Sequence, residues 1–398
     1  MKKNKAFIKL TEKFSARNYK PLPVVLTKGK GVWVWDVEGN KYLDMLSAYS
    51  ALNQGHCHPH IVKALKKQAA RLTLTSRAFH NDRMGPFLKK LCTLTGYEKA
   101  LPMNSGAEAV ETAIKVARKW GYLKKKVTKN RAEIIVCENN FHGRTTTIIG
   151  FSSEAQYREG FGGFTPGFKI IPYNDPRALS RAITRNTVGF LVEPIQGEGG
   201  VIVPDNGYLR ECARICKKNN VLFIADEIQT GLGRTGRLFA CNYERVKPDI
   251  TIVGKALSGG FYPVSAILCN NRIMNVLHPG DHGSTFGGNP LASAIGIAAL
   301  EVILKERLAQ RAFRLGNWFM EELRKIKSPI IKEVRGKGLL IGVELKKKAR
   351  PYCEKLMNQG ILAKETHAMV VRFAPPLTIK KEELIWALPR IERVLLNR

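Results

Sequence analysis

The sequence contains no run of 18 uncharged apolar residues, so no helix is expected to cross a membrane. Its lysine-rich start, MKKNKAFIKLTEKFSARNY, leads into no apolar core segment, which argues against a secretory signal. Glu12 in so short a stretch argues against a mitochondrial presequence, and a cytoplasmic protein is expected. The eight cysteines (57, 92, 137, 212, 216, 241, 269 and 353) include no CxxC pair, so neither a disulfide scaffold nor a metal site is expected. Cys212 and Cys216, one helical turn apart, read as two small residues on a helix face. Acidic residues are scarce: 33 Asp and Glu stand against 65 Lys and Arg, a formal net charge of +32. Such a field attracts polyanions without choosing among them. A concentrated basic arm, zinc-finger spacing and an aromatic RNA-binding motif are all lacking, so no specific nucleic-acid partner is expected.

What is present is a chain able to bury a core. Apolar residues make up 44% of the 398 positions. Residues 31–46, GVWVWDVEGNKYLDML, alternate around a Glu38-Gly39-Asn40 turn and predict a hairpin. Downstream, AEAVETAIKVARKWGY reads as an amphipathic helix, while AEIIVCE, GFLVEPI, VLFIADE and DITIVG read as short strands buried on both faces. Buried strands separated by helices predict an α/β layered, mostly parallel sheet. A long helical stretch follows Pro290. GLLIGVEL and MVVRFAP then supply strands of a smaller C-terminal α+β unit, and Pro389 should kink or end the last helix. The expected division is 1–50 as an N-terminal segment with its hairpin, 51–290 as the large domain and 291–398 as the small one.

Three motifs are set aside. GLGRTG at 231–236 matches a dinucleotide fingerprint in letters only, because five residues separate it from the strand and no adequate helix follows. GHCHPH alternates His56, His58 and His60, but Pro59 breaks the regularity and no further ligands are near, so a turn is preferred over zinc. Gly254-Lys255 lacks the upstream glycine and the following hydroxyl residue of a P-loop.

Three other features fit one chemistry. Asp226 ends VLFIADE, where layered α/β sheets place ligand groups, and its carboxylate could hold a protonated pyridine nitrogen. By itself it reads better as a helix N-cap or a surface acid, since Asp commonly ends strands. Lys255 follows DITIVG among small residues (Gly254, Ala256, Ser258, Gly259, Gly260) that leave room for a bulky ligand. Desolvation there would lower its amine pKa and suit it to condense with a carbonyl. In MNSGAEAVETA, Ser105 and Gly106 open a strong helix whose free N–H groups can receive a phosphate. Together they suggest pyridoxal 5'-phosphate.

The sequence resembles the class III, fold-type I aminotransferases from about Asn18 to Pro376, and within them those acting on the terminal amine of ornithine. The similarity is carried by long blocks: WDVEGNKYLDMLSAYSALNQGHCHP, NSGAEAVETAIKVARKWGY, FHGRT, EPIQGEGGVIVPDNGYL, ADEIQTGLGRTGR, KPDITIVGKALSGGFYPVSA, GSTFGGNP and VRFAPPL. The resemblance implies a large cofactor-binding domain over 51–290. It makes Lys255 the lysine that holds the cofactor covalently and Asp226 the partner of its ring nitrogen. Gln229 would lie near the phenolic oxygen, Phe141 would stack on the ring beside His142, and Gly106 and Ala107 would supply phosphate-binding amides. Thr285 would reach the phosphate of the neighbouring subunit, implying a homodimer with shared sites. For substrate, Arg372 would grip the α-carboxylate of glutamate or 2-oxoglutarate and Glu198 would neutralise it when L-ornithine binds, while Arg144, Tyr19 and Tyr49 would hold the far end. The implied products are glutamate and glutamate 5-semialdehyde, which closes to pyrroline-5-carboxylate in proline metabolism. Two alternatives stand: an acetylornithine or other ω-amine aminotransferase, and a basic nucleic-acid-associated protein on the same scaffold, to which only the +32 charge points.

Overall fold

The computed structural model describes residues 2–397. In chain order the strands are β1 (Leu26–Lys30), β2 (Trp33–Asp36) and β3 (Lys41–Asp44), then β4 (Lys99–Met103), β5 (Glu133–Cys137) and β6 (Phe168–Ile171). They continue with β7 (Thr187–Val192), β8 (Leu222–Asp226), β9 (Ile250–Val253), β10 (Ser265–Cys269), β11 (Ile331–Lys337) and β12 (Leu340–Leu345). The last are β13 (Ile361–Leu362), β14 (Lys364–Thr366) and β15 (Val370–Phe373).

The hairpin expected at 31–46 is the pair β2–β3, antiparallel with Trp33 opposite Leu43. Asp36 makes the turn: its Oδ1 accepts the backbone N–H groups of Glu38 and Asn40, both at 2.9 Å, as Asx-type turns do. β1 pairs with one side of this hairpin and the C-terminal β13 with the other, so chain from both ends shares one sheet.

The central sheet has the order β4-β10-β9-β8-β7-β5-β6. β9, β8, β7, β5 and β6 run parallel, and β10 is antiparallel to both its neighbours. The mostly parallel sheet expected from the apolar runs is therefore present. Its strands sort their side chains by alternation. Ile134, Val136, Leu191 and Ile224 pack under the helix Gly106–Trp120. Ile135, Cys137, Phe190 and Phe223 pack under the helix Tyr208–Lys218, whose Cys212 and Cys216 are buried core residues. A sheet covered on both faces this way brings its strand ends, and the loops after them, together.

The C-terminal region contains the antiparallel order β11-β12-β15-β14. Two helical expectations need correction. The stretch after Pro290 is two helices, Pro290–Lys305 and Leu308–Lys325, broken at Arg307, whose φ of 51° is left-handed. The last helix, Lys381–Leu395, runs through Pro389 instead of ending there. Leu384, Ala387, Ile391 and Leu395 hold its face in the core, and tertiary burial of this kind overrides the local penalty of proline.

The GLGRTG loop turns as expected, but its Arg234 has a structural role that was not foreseen. Arg234 is fully buried and donates to Leu339 O (2.9 Å), Pro375 O (2.6 Å), Asn53 Oδ1 (2.6 Å) and Ser47 Oγ (3.3 Å). One guanidinium thus ties the N-terminal segment, the loop after β8 and the C-terminal region. Burial pulls its pKa down to about 9, against the opposing pull of Asp44. Arg234→Met is expected to destabilise the fold by roughly 3–5 kcal/mol, because several buried acceptors lose their donor at once. Urea unfolding measures this, and a loss below about 1 kcal/mol would refute the bridging role.

Candidate active site

Asp226 is the last residue of β8 and Lys255 follows β9 directly, so adjacent parallel strands bring the two side chains to one end of the sheet. The cavity between them is about 200 Å³, and its lining includes Gly106, Ala107, Phe141, His142, Asp226 and Lys255, with Glu193 and Gln229 beside them. A second cavity of about 490 Å³ is lined by Tyr19, Tyr49, Phe141, Arg144, Glu198 and Lys255. Phe141 and Lys255 line both, so the two form an inner and an outer chamber that meet at these residues.

In the inner chamber, Asp226 is 5% exposed and its two oxygens have distinct neighbours. Oδ1 accepts the Ile228 N–H at 3.1 Å and Oδ2 lies 2.7 Å from His142 Nδ1. Burial works against a charged His142, but the hydrogen bond and charge of Asp226 outweigh it and raise its pKa. Its Nε2 is buried without a partner. Lys255 has a left-handed φ of 44°, and burial lowers its amine pKa, opposed mainly by Glu198. At the far wall, Gly106 and Ala107 open the helix Gly106–Trp120, where backbone N–H groups lack intrahelical acceptors. Ser105 caps that helix, its Oγ accepting the Glu108 N–H at 3.2 Å, and does not line the cavity.

Arg372, 1% exposed on β15, lines neither chamber itself but pairs with Glu198, which lines the outer one. Its Nη1 donates to Glu198 Oε1 at 2.8 Å and to Gln229 Oε1 at 3.1 Å, and Gln229 Nε2 donates to the same Glu198 oxygen at 3.2 Å. Gly197 makes this closeness possible: a Cβ there would fall 1.8 Å from Gln229 Oε1. Arg372 Nε and Nη2 are buried without partners. Burial would push the Glu198 carboxyl up, but Arg372 and Lys255 hold its pKa below the ordinary value. Arg144 stacks over the Tyr157 ring, 3.4 Å from its centroid, and Arg372 lies 4.9 Å from the centre of Tyr49. Tyr19 is 77% exposed at the rim. Thr285 is exposed and lines neither chamber.

Tyr49 reaches this position through an unusual turn. Ser47, Ala48, Tyr49 and Ser50 have φ values of 49°, 46°, 60° and 73°, a left-handed run costing roughly 1–2 kcal/mol per residue. Asp44 Oδ1 restrains it by accepting the Leu46 and Ser47 N–H groups at 2.9 and 2.8 Å. Ser47 Oγ donates to Ala374 O and accepts from Arg234. Nothing in SAYS signals such a turn, whereas Tyr157, from the helix Ala155–Arg158, could have been suspected from its nearness to FHGRT.

Glu193 also belongs to the site, although no motif in the sequence singles it out. It follows β7 as Asp226 ends β8, and its Oε2 accepts the Phe141 N–H at 2.9 Å, so strand-end position was the signal available. Burial raises its pKa from 4.5 to about 7, partly offset by His142. The folded carboxyl then binds its proton more tightly than the unfolded one, which favours the fold at low pH and removes that advantage as pH rises from about 4.5 to 7. In the cofactor-free protein the loss is about 3 kcal/mol over this window. Glu193→Gln should flatten the pH dependence of urea-unfolding stability relative to wild type, and identical slopes would contradict the assignment.

Known proteins agree with this geometry. Residues 14–395 match the aminotransferase class-III family, and the chain belongs to that family. It has the fold of the type I pyridoxal-phosphate enzymes and is a pyridoxal-phosphate-dependent transaminase. Among its relatives, an ornithine aminotransferase of Geobacillus sp. (strain WCH70) is 61% identical over 394 residues, covering 99% of each chain. The crystal structure of an ornithine aminotransferase from Toxoplasma gondii, with partial occupancy of the cofactor at its active site, superimposes with a TM-score of 0.98 at 48% identity, covering 99% of this chain and 94% of that one. An acetylornithine aminotransferase from Elizabethkingia anophelis superimposes with a TM-score of 0.91 at 52% identity, covering 99% of both.

The inner chamber fits the cofactor. It offers free amides for a phosphate at Gly106 and Ala107, a buried carboxylate at Asp226 for a protonated ring nitrogen, and Phe141 as a flat wall. His142 Nε2, buried and unpartnered, is a further polar group that lines this space. When bound, pyridoxal phosphate supplies an electron sink for charge developing on a substrate carbon.

Proposed function

We propose that the protein transfers the δ-amino group of L-ornithine to 2-oxoglutarate, giving glutamate and glutamate 5-semialdehyde, which cyclises to pyrroline-5-carboxylate. The Arg372–Glu198 pair carries this reading. A dianionic keto acid and a substrate presenting a distal amine must use one pocket in turn. Arg372, neutralised on one nitrogen by Glu198 and unpaired at Nε and Nη2, can accept a carboxylate once Glu198 swings away, and is silenced when it returns.

In this reading Lys255 holds the cofactor, then moves the proton at the substrate carbon from which the amine departs, its amine pKa being lowered by burial for that task. Asp226 keeps the cofactor's ring nitrogen protonated, and His142 fixes the Asp226 carboxylate at 2.7 Å. With the cofactor bound, Gln229 would lie on the side of its phenolic oxygen and Phe141 would stack on its ring. Ser105 acts through its helix cap, orienting Gly106 and Ala107 toward the phosphate. Arg144, Tyr19 and Tyr49 bind the α-amino and α-carboxylate end of ornithine, and Arg372 binds the keto acid. Thr285, exposed and outside both chambers, suits donation to the phosphate of a second subunit in a homodimer. A cytoplasmic role in proline metabolism completes the proposal.

The test is product formation from L-ornithine and 2-oxoglutarate, with N-acetylornithine run in parallel on the holoenzyme. Trapped pyrroline-5-carboxylate from ornithine, with little turnover of the acetylated compound, is the expected result. Preference for N-acetylornithine would transfer the assignment to the activity of the Elizabethkingia relative. Silence on both would overturn the substrate.

A further inference from the structure

We infer that the protein carries a second anion site, a basic groove at the opposite end of the central sheet that takes a compact polyphosphate. Leu222 and Phe223 begin β8 and Asp249 immediately precedes β9, so the groove opens at the start of the strands whose far ends bear Asp226 and Lys255. At about 3.3 Å per residue, the five residues of β8 separate the two places by roughly 15 Å.

The groove encloses about 740 Å³, and its lining includes Arg210, Arg214, Lys217, Arg245, Lys247 and Arg272. Asp249 is the one acidic residue among the lining groups, and its Oδ2 is engaged by the Phe223 N–H at 2.9 Å. Arg214 pairs with Glu211 and Lys247 donates to Gly96 O. The side chains of Arg210, Lys217, Arg245 and Arg272 make no hydrogen bond or ion pair among the described residues. Arg272 and Lys217 lie near enough to Asp249 to favour its charge, but one carboxylate cannot offset the cations around this concavity, which repel each other and favour an occupant with several negative oxygens.

A second observation points the same way. Trp120 lines the groove at 2% exposure, and its Nε1 is buried with no acceptor. A buried N–H without a partner costs about 1–3 kcal/mol, so a small shift of the Trp120 ring that let an anionic oxygen in the groove meet Nε1 would be favoured on binding. Charges spread evenly over a +32 surface would not supply this donor. The groove's volume of about 740 Å³ and its cluster of cations suit a chain of two or three phosphates better than a single carboxylate.

The test uses the holoenzyme, whose cofactor fills the inner chamber, and inorganic tripolyphosphate as probe. Binding should saturate at one site per chain and alter tryptophan fluorescence. The triple variant Arg210→Gln/Arg245→Gln/Arg272→Gln should bind about tenfold or more weakly, with transamination unchanged. Trp120→Phe should weaken binding several-fold and remove the fluorescence change. A control triple variant, Lys305→Gln/Lys327→Gln/Lys346→Gln, lowers net charge equally away from the groove and should bind as wild type. Equal weakening in both triple variants, or binding that never saturates, would show a diffuse response to net charge and overturn the site. Tighter, length-dependent binding of single-stranded RNA that survives the groove substitutions would likewise overturn it.

Discussion

Lys255→Ala should lower transamination by a factor of about 10⁴, at the upper end of what a positioned proton-transfer group contributes. Lys255 is the amine that both chambers share, so no neighbour can replace it. Arg144 lines the outer chamber and Arg372 pairs with Glu198 beside it, and neither presents an amine. The variant should remain folded and at least as stable as wild type, since a buried amine whose pKa burial lowers is a cost to the fold. Measured rates within about tenfold of wild type would remove Lys255 from the chemistry.

Arg372→Met should act on one half of the reaction. The kcat/KM for 2-oxoglutarate is expected to fall by about 10²–10³, equivalent to roughly 3–4 kcal/mol for losing a buried charged partner of a carboxylate. The half-reaction with ornithine should change far less, because there Glu198 already occupies Arg372 through the 2.8 Å pair. Glu198→Gln should do the opposite, improving affinity for the keto acid while weakening discrimination in favour of ornithine. Single-turnover measurements on each half-reaction separate these cases. Equal losses in both halves for Arg372→Met would mean that the pair is a fixed structural bridge.

The sheet was legible because its strands are short apolar runs ending in acid or glycine. Thus β5, β7, β8 and β9 fall where AEIIVCE, GFLVEPI, VLFIADE and DITIVG placed them. Asp226 and Lys255 were accessible by the same rule, since strand-end position and small neighbours are local features. β4 and β10 were not read, because their partners are set by an antiparallel crossing that no local periodicity encodes. The helix break at Arg307 was missed, and the last helix does not end at Pro389, because packing, not propensity, decides both. Arg372 and Glu198, 174 residues apart in sequence, meet only through the fold, and without a family resemblance Arg372 reads as a surface charge on a strand and Glu198 as a loop acid. The left-handed turn at Ser47–Ser50 lay beyond sequence reasoning, since Asp44, Arg234 and Ala374 hold it from three separate stretches of chain.

The central claim concerns which nitrogen leaves the substrate. It is tested most directly by incubating the holoenzyme with L-ornithine labelled with ¹⁵N at the δ position and unlabelled 2-oxoglutarate, then measuring the isotope in glutamate. Labelled glutamate, with unlabelled nitrogen retained in the cyclised product, is the expected outcome. Unlabelled glutamate would show that the α-amine is transferred, and would contradict the placement of Tyr19, Tyr49 and Arg144 at the α end of the substrate.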